Sequence, residues 1–249
     1  MLPPLTPSQW LLAILAALCI GLSKNGFSGI GLVTVIVFAQ LFPGRESTGS
    51  LLPLLICGDI LAVISFRRHA DWFQIRRLLP PTFVGVVVGF FLMGVIPDAR
   101  FKAVIGVSVL MMSMLQAARR FRPDLYKNVP HTRGFAWSLG TACGVTTMLA
   151  NGAGPIMALY LLAVDLPKLA FVGTSAWFFL IVNLFKVPFS AGLGLIHFNS
   201  LLFNLVLVPV VGLGTLLGRW LIHIVPQQLF ELLLLIFTTI ASLRLIGVF

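Results

Sequence analysis

Residues 21–31 read GLSKNGFSGIG, and they interrupt a stretch that otherwise belongs inside a membrane. WLLAILAALCI (10–20) precedes them and LVTVIVFAQLF (32–42) follows. As one helix, 10–42 is far too long for a single crossing. Divided at the interruption, 10–22 and 30–42 are 13 residues each. Each would be near 20 Å long at about 1.5 Å per residue, against about 30 Å of hydrocarbon. The pattern predicts two half-depth helices folded into a hairpin, with Lys24, Asn25 and the glycines at its turn near the midplane.

The rest of the chain fits that environment. Its 249 residues are 59% hydrophobic and only 10% charged, with mean hydropathy +1.05. A soluble domain is usually about 25% charged. Only helices and closed barrels satisfy the backbone in a bilayer, and long apolar runs without alternation predict helices. The expected class is an all-α integral membrane protein. Clear spans fall at about 47–66, 79–96, 103–121, 168–189, 201–224 and 229–248, and a second broken stretch at 134–164.

The net charge of +10 is concentrated between apolar runs, in RRHADWFQIRR (67–77) and RRFRPDLYKNVPHTR (119–133). Positive loops beside spans report orientation, so both segments are predicted cytoplasmic. Orientation accounts for the charge, and no nucleic-acid partner is expected. Cys19, Cys57 and Cys143 lie within apolar runs. Their spacing is neither a disulfide framework nor a metal pattern. MLPPLTPSQW (1–10) has no basic segment, so no cleaved signal peptide is expected.

The two sides of the 119–133 segment match. Pro80, Gly85, Gly89 and Pro97 recur as Pro209, Gly214, Gly218 and Pro226, at a constant offset of 129. Gly49 and Asp59 recur as Gly173 and Asn183, at an offset of 124. Asn25-Gly26 has a counterpart in Asn151-Gly152. These correspondences predict a first membrane repeat over 1–122, a cytoplasmic linker loop over 123–133 and a second membrane repeat over 134–249. Duplication of this kind is a signature of many secondary transporters. RRHADWFQIRR carries four arginines, whereas its counterpart SAGLGLIHFNS (190–200) has no Asp, Glu, Lys or Arg. That asymmetry favours inverted repeats, with a parallel four-plus-four arrangement as the alternative. The spacings Gly85–Gly89 and Gly214–Gly218 imply close helix packing rather than a ligand role.

Non-helical backbone at membrane depth survives only inside protein or beside a water-filled cavity. Paired breaks at matching positions are the best pointer to a transporter's binding site. SKNGFSGIG (23–31) and TTMLANGAGP (146–155) are such a pair. The helix N-termini they create favour an anion, and Pro155 is well placed to start a half-helix. Lys24 adds a full positive charge. Lys186 lies in NLFKVPF (183–189), three residues after Asn183 and on the same helix face. Snorkelling toward the interface is the competing reading for Lys186. Asp59 is the only acid deep in a span, either a partner for a lysine or a carrier of a coupling proton. The candidate substrate-binding set is Lys24, Asn25, Gly26, Ser28, Asn151, Gly152, Asn183 and Lys186, with Asp59 as the coupling-ion candidate. No catalytic residue, metal ligand or cofactor is expected.

GLSKNGFSGIG, LLPLLICGD with Pro53 and Asp59, FRRHADW and NLFKVPF together resemble the TauE/SafE sulfite-exporter family of bacterial membrane permeases. The resemblance covers nearly the whole chain and both halves. It implies a multi-pass permease of the bacterial cytoplasmic (inner) membrane that moves sulfite, sulfonates or related small anions. The matched polar positions are Lys24, Asp59, Asn151, Asn183 and Lys186. The implied partners are a small anion and the lipid bilayer, with a homo-oligomer left open.

Two rival readings are an anion channel built on the same breaks, and an intramembrane serine protease using Ser28. GFSG (26–29) fits the GxSG pattern of the latter. A serine nucleophile needs a histidine within reach, and His69, His131, His197 and His223 all lie in loops or near span ends. There is no Walker motif, so energy for transport must come from a gradient or a separate partner.

Overall fold

The computed structural model describes residues 5–25, 30–121 and 132–221, with scattered positions between 232 and 247. Gly26 and Ser28, most of the 123–133 linker and most of the span expected at 229–248 lie outside the described residues. Among the described residues every regular element is helical: α1 (Pro7–Ser23), α2 (Ile30–Leu41), α3 (Glu46–Phe66), α4 (Trp72–Val95), α5 (Asp98–Phe121), α6 (Arg133–Ala150), α7 (Gly154–Ala163), α8 (Lys168–Gly192) and α9 (Phe198–Leu221). Five of them, α3, α4, α5, α8 and α9, are long and apolar enough to cross a membrane. Their outward faces carry Ile64, Phe91, Leu205 and Leu216, all exposed. Apolar side chains in that number suit lipid and not water.

Both broken stretches fold back on themselves. The Thr34 hydroxyl of α2 donates to the Ala16 carbonyl of α1 at 3.3 Å. Phe135 near the start of α6 stacks on Tyr160 near the end of α7, with centroids 6.1 Å apart. The arms are unequal, contrary to the half-depth expectation. α1 has 17 residues, because Thr6 and Gln9 form a capping box with Pro7 in the first turn. At about 1.5 Å per residue it is roughly 25 Å long and covers most of the bilayer's hydrocarbon.

The basic segment 67–77 is also more ordered than a loop. Arg67–His69 forms a 3-10 turn, and α4 starts at Trp72 rather than 79. The cause is Asp71, whose carboxylate accepts from the backbone N–H groups of Phe73 and Gln74 at 2.9 and 3.3 Å. Arg76 and Arg77 therefore stand on the first turns of a helix.

Three helix pairs organise the bundle. α4 and α6 run parallel in close contact. A Cβ at Gly85 would overlap the Thr141 carbonyl, one at Gly144 the Thr82 carbonyl, and one at Gly89 the Met148 side chain. α1 and α9 repeat this arrangement. A Cβ at Gly21 would overlap Val211 and Thr215 backbone, one at Gly214 the Leu18 carbonyl, and one at Gly218 the Asn25 amide. The small-residue spacings thus set backbone contact, as they imply. The third pair, α3 and α8, is antiparallel. Gly49 abuts Leu195 beyond the end of α8, while Gly173 abuts Phe66 and Ala70 at the opposite end of α3. Segments 67–77 and 190–200 are therefore separated by most of the length of α3.

Candidate functional site

Where α3 and α8 cross, their middles face the two helix breaks. Lys24 ends α1, and its aliphatic stem lies over the bare Cα of Gly58. A Cβ there would stand 3.4 Å from Lys24 Cε and 3.0 Å from Ile20 Cγ2. Along that path Lys24 Nζ reaches Asp59 Oδ1 at 2.6 Å, and it stands 5.5 Å from the Phe179 ring centroid. The other oxygen of Asp59, Oδ2, accepts from Asn183 Nδ2 at 2.7 Å. Asn183 Oδ1 in turn accepts from Lys186 Nζ at 3.4 Å. The result is one chain of polar contacts, Lys24–Asp59–Asn183–Lys186, in which the last three residues are buried.

Lys186 is held by oxygens alone. Besides Asn183, its ammonium donates to Thr147 Oγ1 at 3.2 Å and to Asn151 Oδ1. Three donors meet three neutral acceptors, which satisfies the ammonium's hydrogen bonds without cancelling its charge. Burial at 2% exposure removes the snorkelling reading. α8 continues through Pro188 to Gly192, so Lys186 is inside the helix and not at its end.

Asn151 is the hinge of the second break. It caps α6 in the left-handed region at φ 51° and ψ 22°, a conformation that asparagine tolerates better than most residues. Its side chain bridges two elements. Nδ2 donates to the Thr48 carbonyl of α3 at 2.9 Å, while Oδ1 receives Lys186.

Lys24, Asp59, Thr147, Asn151, Asn183 and Phe179 line a cavity of about 100 Å³, together with Gly152. That is room for several waters or a small ion. The first residues of both short arms, Gly31 and Leu32 of α2 and Gly154 and Pro155 of α7, complete the wall. Pro155 falls in the first turn of its half-helix, as its chemistry requires. Two helix N-termini and two lysines therefore surround a single carboxylate. The site thus holds two lysines to one carboxylate.

Of the residues expected to form the site, Lys24, Asp59, Asn151, Gly152, Asn183 and Lys186 are brought together here. Asn25 is not with them. Its Nδ2 donates to the Gly21 and Thr215 carbonyls, both at 3.1 Å, and pins α1 to α9. Three participants were not legible in the sequence: Thr147, Gly58 and Phe179. Thr147 had one available signal, its position a single helical turn before Asn151.

A family model described as Sulfite exporter TauE/SafE matches residues 13–245. The chain belongs to the TauE/SafE family. Among curated proteins and among solved structures, nothing matches it. TauE/SafE proteins are membrane transporters and not enzymes, and the multi-pass helical fold accords with that membership. The serine-protease reading of Ser28 falls with it. Of the histidines, His69 and His197 are described, and both are exposed on the outside of the bundle.

Proposed function

We propose that this TauE/SafE protein is a secondary transporter of a small sulfur oxyanion, such as sulfite or a sulfonate, in a bacterial cytoplasmic membrane. The observation that carries the reading is the Lys24–Asp59–Asn183–Lys186 chain, two lysines to one carboxylate, beside a small cavity that Lys24 lines. A charged group moved into protein loses several kcal/mol of solvation. A helix N-terminus returns only about 0.3–2 kcal/mol. Dipoles alone fall short, and a full charge is the contribution that offsets the deficit.

Lys24 is the group to offer it. Of the two ammonium groups it is the one that lines the cavity, with 13% of its side chain exposed. Lysine is a compact point charge, and it releases an oxyanion more readily than the fork of an arginine. Lys186 contributes at longer range and holds Asn151 and Asn183 in place. In the observed state Asp59 occupies Lys24. An incoming anion competes with that carboxylate, and a proton on Asp59 removes the competitor. Anion and proton then bind together, which is the coupling role for Asp59.

The two halves are read as inverted repeats about an axis in the membrane plane. Support comes from the antiparallel α3–α8 crossing and from the matched contacts of α4 with α6 and α1 with α9. Such a frame alternates access by rocking one half against the other. Liposome uptake of a sulfonate against an imposed proton gradient tests the function. Accumulation above equilibrium supports a coupled transporter, and mere equilibration makes it the channel.

A further inference from the structure

Away from the transport cavity, the parallel helices α4 and α6 begin side by side at one end of the bundle. Their first turns enclose a pocket of about 610 Å³ lined by Phe73, Arg76, Arg77, Arg133, Ala136 and Trp137. Arg76 and Arg77 stand on the second turn of α4, and Arg133 begins α6. Arg76 and Arg133 are exposed, and neither forms an ion pair among the described residues. The nearest acid in sequence, Asp71, has its carboxylate engaged in capping α4.

A second groove lies on the other side of Trp137. It holds about 690 Å³ and runs along α6 from Trp137 through Ala142 to Val145, walled by Met111 and Met112 of α5 and Ile156 of α7. Trp137 lines both spaces. From Arg133 to Val145 the rise of α6 is about 18 Å. A basic pocket thus adjoins, at Trp137, an apolar groove that descends a membrane-spanning bundle. Exposed Trp137 marks the boundary, the depth at which amphipathic rings gather.

We propose that an anionic glycerophospholipid occupies these two spaces. Its phosphate is bound by Arg76 and Arg133, and one acyl chain lies in the α5–α6–α7 groove. A free phosphate would satisfy only the first space. The apolar groove beside it, across Trp137, is what selects a lipid. The groove ends at Thr146, next to Thr147 of the cavity, so the acyl chain would buttress the second helix break from behind.

The test uses the purified full-length protein, with phosphatidylglycerol and phosphatidylcholine of the same acyl composition as probes. Thermal stability and lipid retention in native mass spectrometry are the readouts. Phosphatidylglycerol is expected to bind roughly tenfold or more tightly than phosphatidylcholine. Replacing the exposed pair, Arg76→Gln with Arg133→Gln, should abolish the preference while phosphatidylcholine binding is unchanged. Val145→Trp, which fills the groove, should weaken phosphatidylglycerol binding with the arginines intact. Equal binding of the two lipids, or a preference that survives the double arginine variant, would overturn the proposal. So would equal stabilisation by millimolar inorganic phosphate, which would make the pocket a free-anion site.

Discussion

Asp59 and Asn183 are 124 residues apart and hydrogen-bond to each other at 2.7 Å; in the inverted-repeat reading proposed above they hold equivalent positions in the two halves. A residue meets its own repeat image only beside the axis that relates the repeats. The acid that handles Lys24 therefore stands where the halves meet, and its counterpart carries the amide that leads on to Lys186. In that reading, a single Asp/Asn difference makes the centre of the frame asymmetric.

That difference can be exchanged. Asp59→Asn leaves Lys24 without a carboxylate and should lower the melting temperature of the anion-free protein. Adding Asn183→Asp returns one carboxylate to the same chain, now beside Lys186, and should recover most of the loss. A thermal-shift comparison of the three proteins decides it. A double variant no more stable than the single one would count against the axial pairing.

Competition between Asp59 and the anion for Lys24 has a pH signature. If anion binding requires a proton on Asp59, affinity must rise as pH falls. The probe should be a small sulfonate, which stays fully ionised across the range. Wild type is expected to bind it more tightly at pH 5.5 than at pH 7.5, with proton uptake visible in weakly buffered calorimetry. Asp59→Asn should bind tightly at both. A pH-dependent Asp59→Asn variant would remove Asp59 from the coupling.

Gly58 is the path by which Lys24 reaches Asp59. Gly58→Ala places a methyl 3.0 Å from Ile20 and 3.4 Å from the Lys24 stem. Overpacking of this kind costs about 1–3 kcal/mol. The expected result is a folded protein with reduced sulfonate affinity. Unchanged affinity would show that Lys24 does not depend on this groove.

Backbone contact between helices makes a separate prediction. Gly21→Ala and Gly144→Ala should each destabilise the protein by about 1–3 kcal/mol, or roughly 2–12 °C. In both cases the added methyl meets neighbouring backbone, which has no rotamer to change. Gly94 faces open space, and Gly94→Ala should leave the melting temperature unchanged or slightly raised. Equal effects at all three sites would contradict the packing.

Much of this arrangement could be read from the chain because membrane sequence has little camouflage. Lys24 and Lys186 stood out among apolar neighbours, and Pro155 and the glycines marked the breaks. Thr147 was passed over, since its place one turn before Asn151 carries no meaning until the buried lysine beside it is known. The extent of α4 was missed because the single cap at Asp71 converts an arginine-rich segment from loop to helix. The match of Asn25-Gly26 to Asn151-Gly152 was close but out of register. By their packing partners, Gly218 and Gly89, the equivalents are Asn25 and Met148. α6 runs on past that point to a cap at Asn151, so the two breaks lie at different depths along their helices.

Orientation is testable at exposed ends of the α3–α8 pair. In a cysteine-free background, Arg68→Cys should resist a membrane-impermeant reagent added outside intact cells, and Ala191→Cys should react. Labelling of both, or of neither, would contradict opposed faces for 67–77 and 190–200.

The central claim is that Lys24 supplies the charge that holds the anion. Its most direct test compares sulfonate affinity in two folded variants, Asp59→Asn alone and Asp59→Asn with Lys24→Met. The second removes the lysine without stranding a buried carboxylate. Loss of a buried charge partner costs 2 kcal/mol or more, so the double variant should bind about 30-fold more weakly or worse. Equal affinity in the two would contradict the account and move the anion to Lys186.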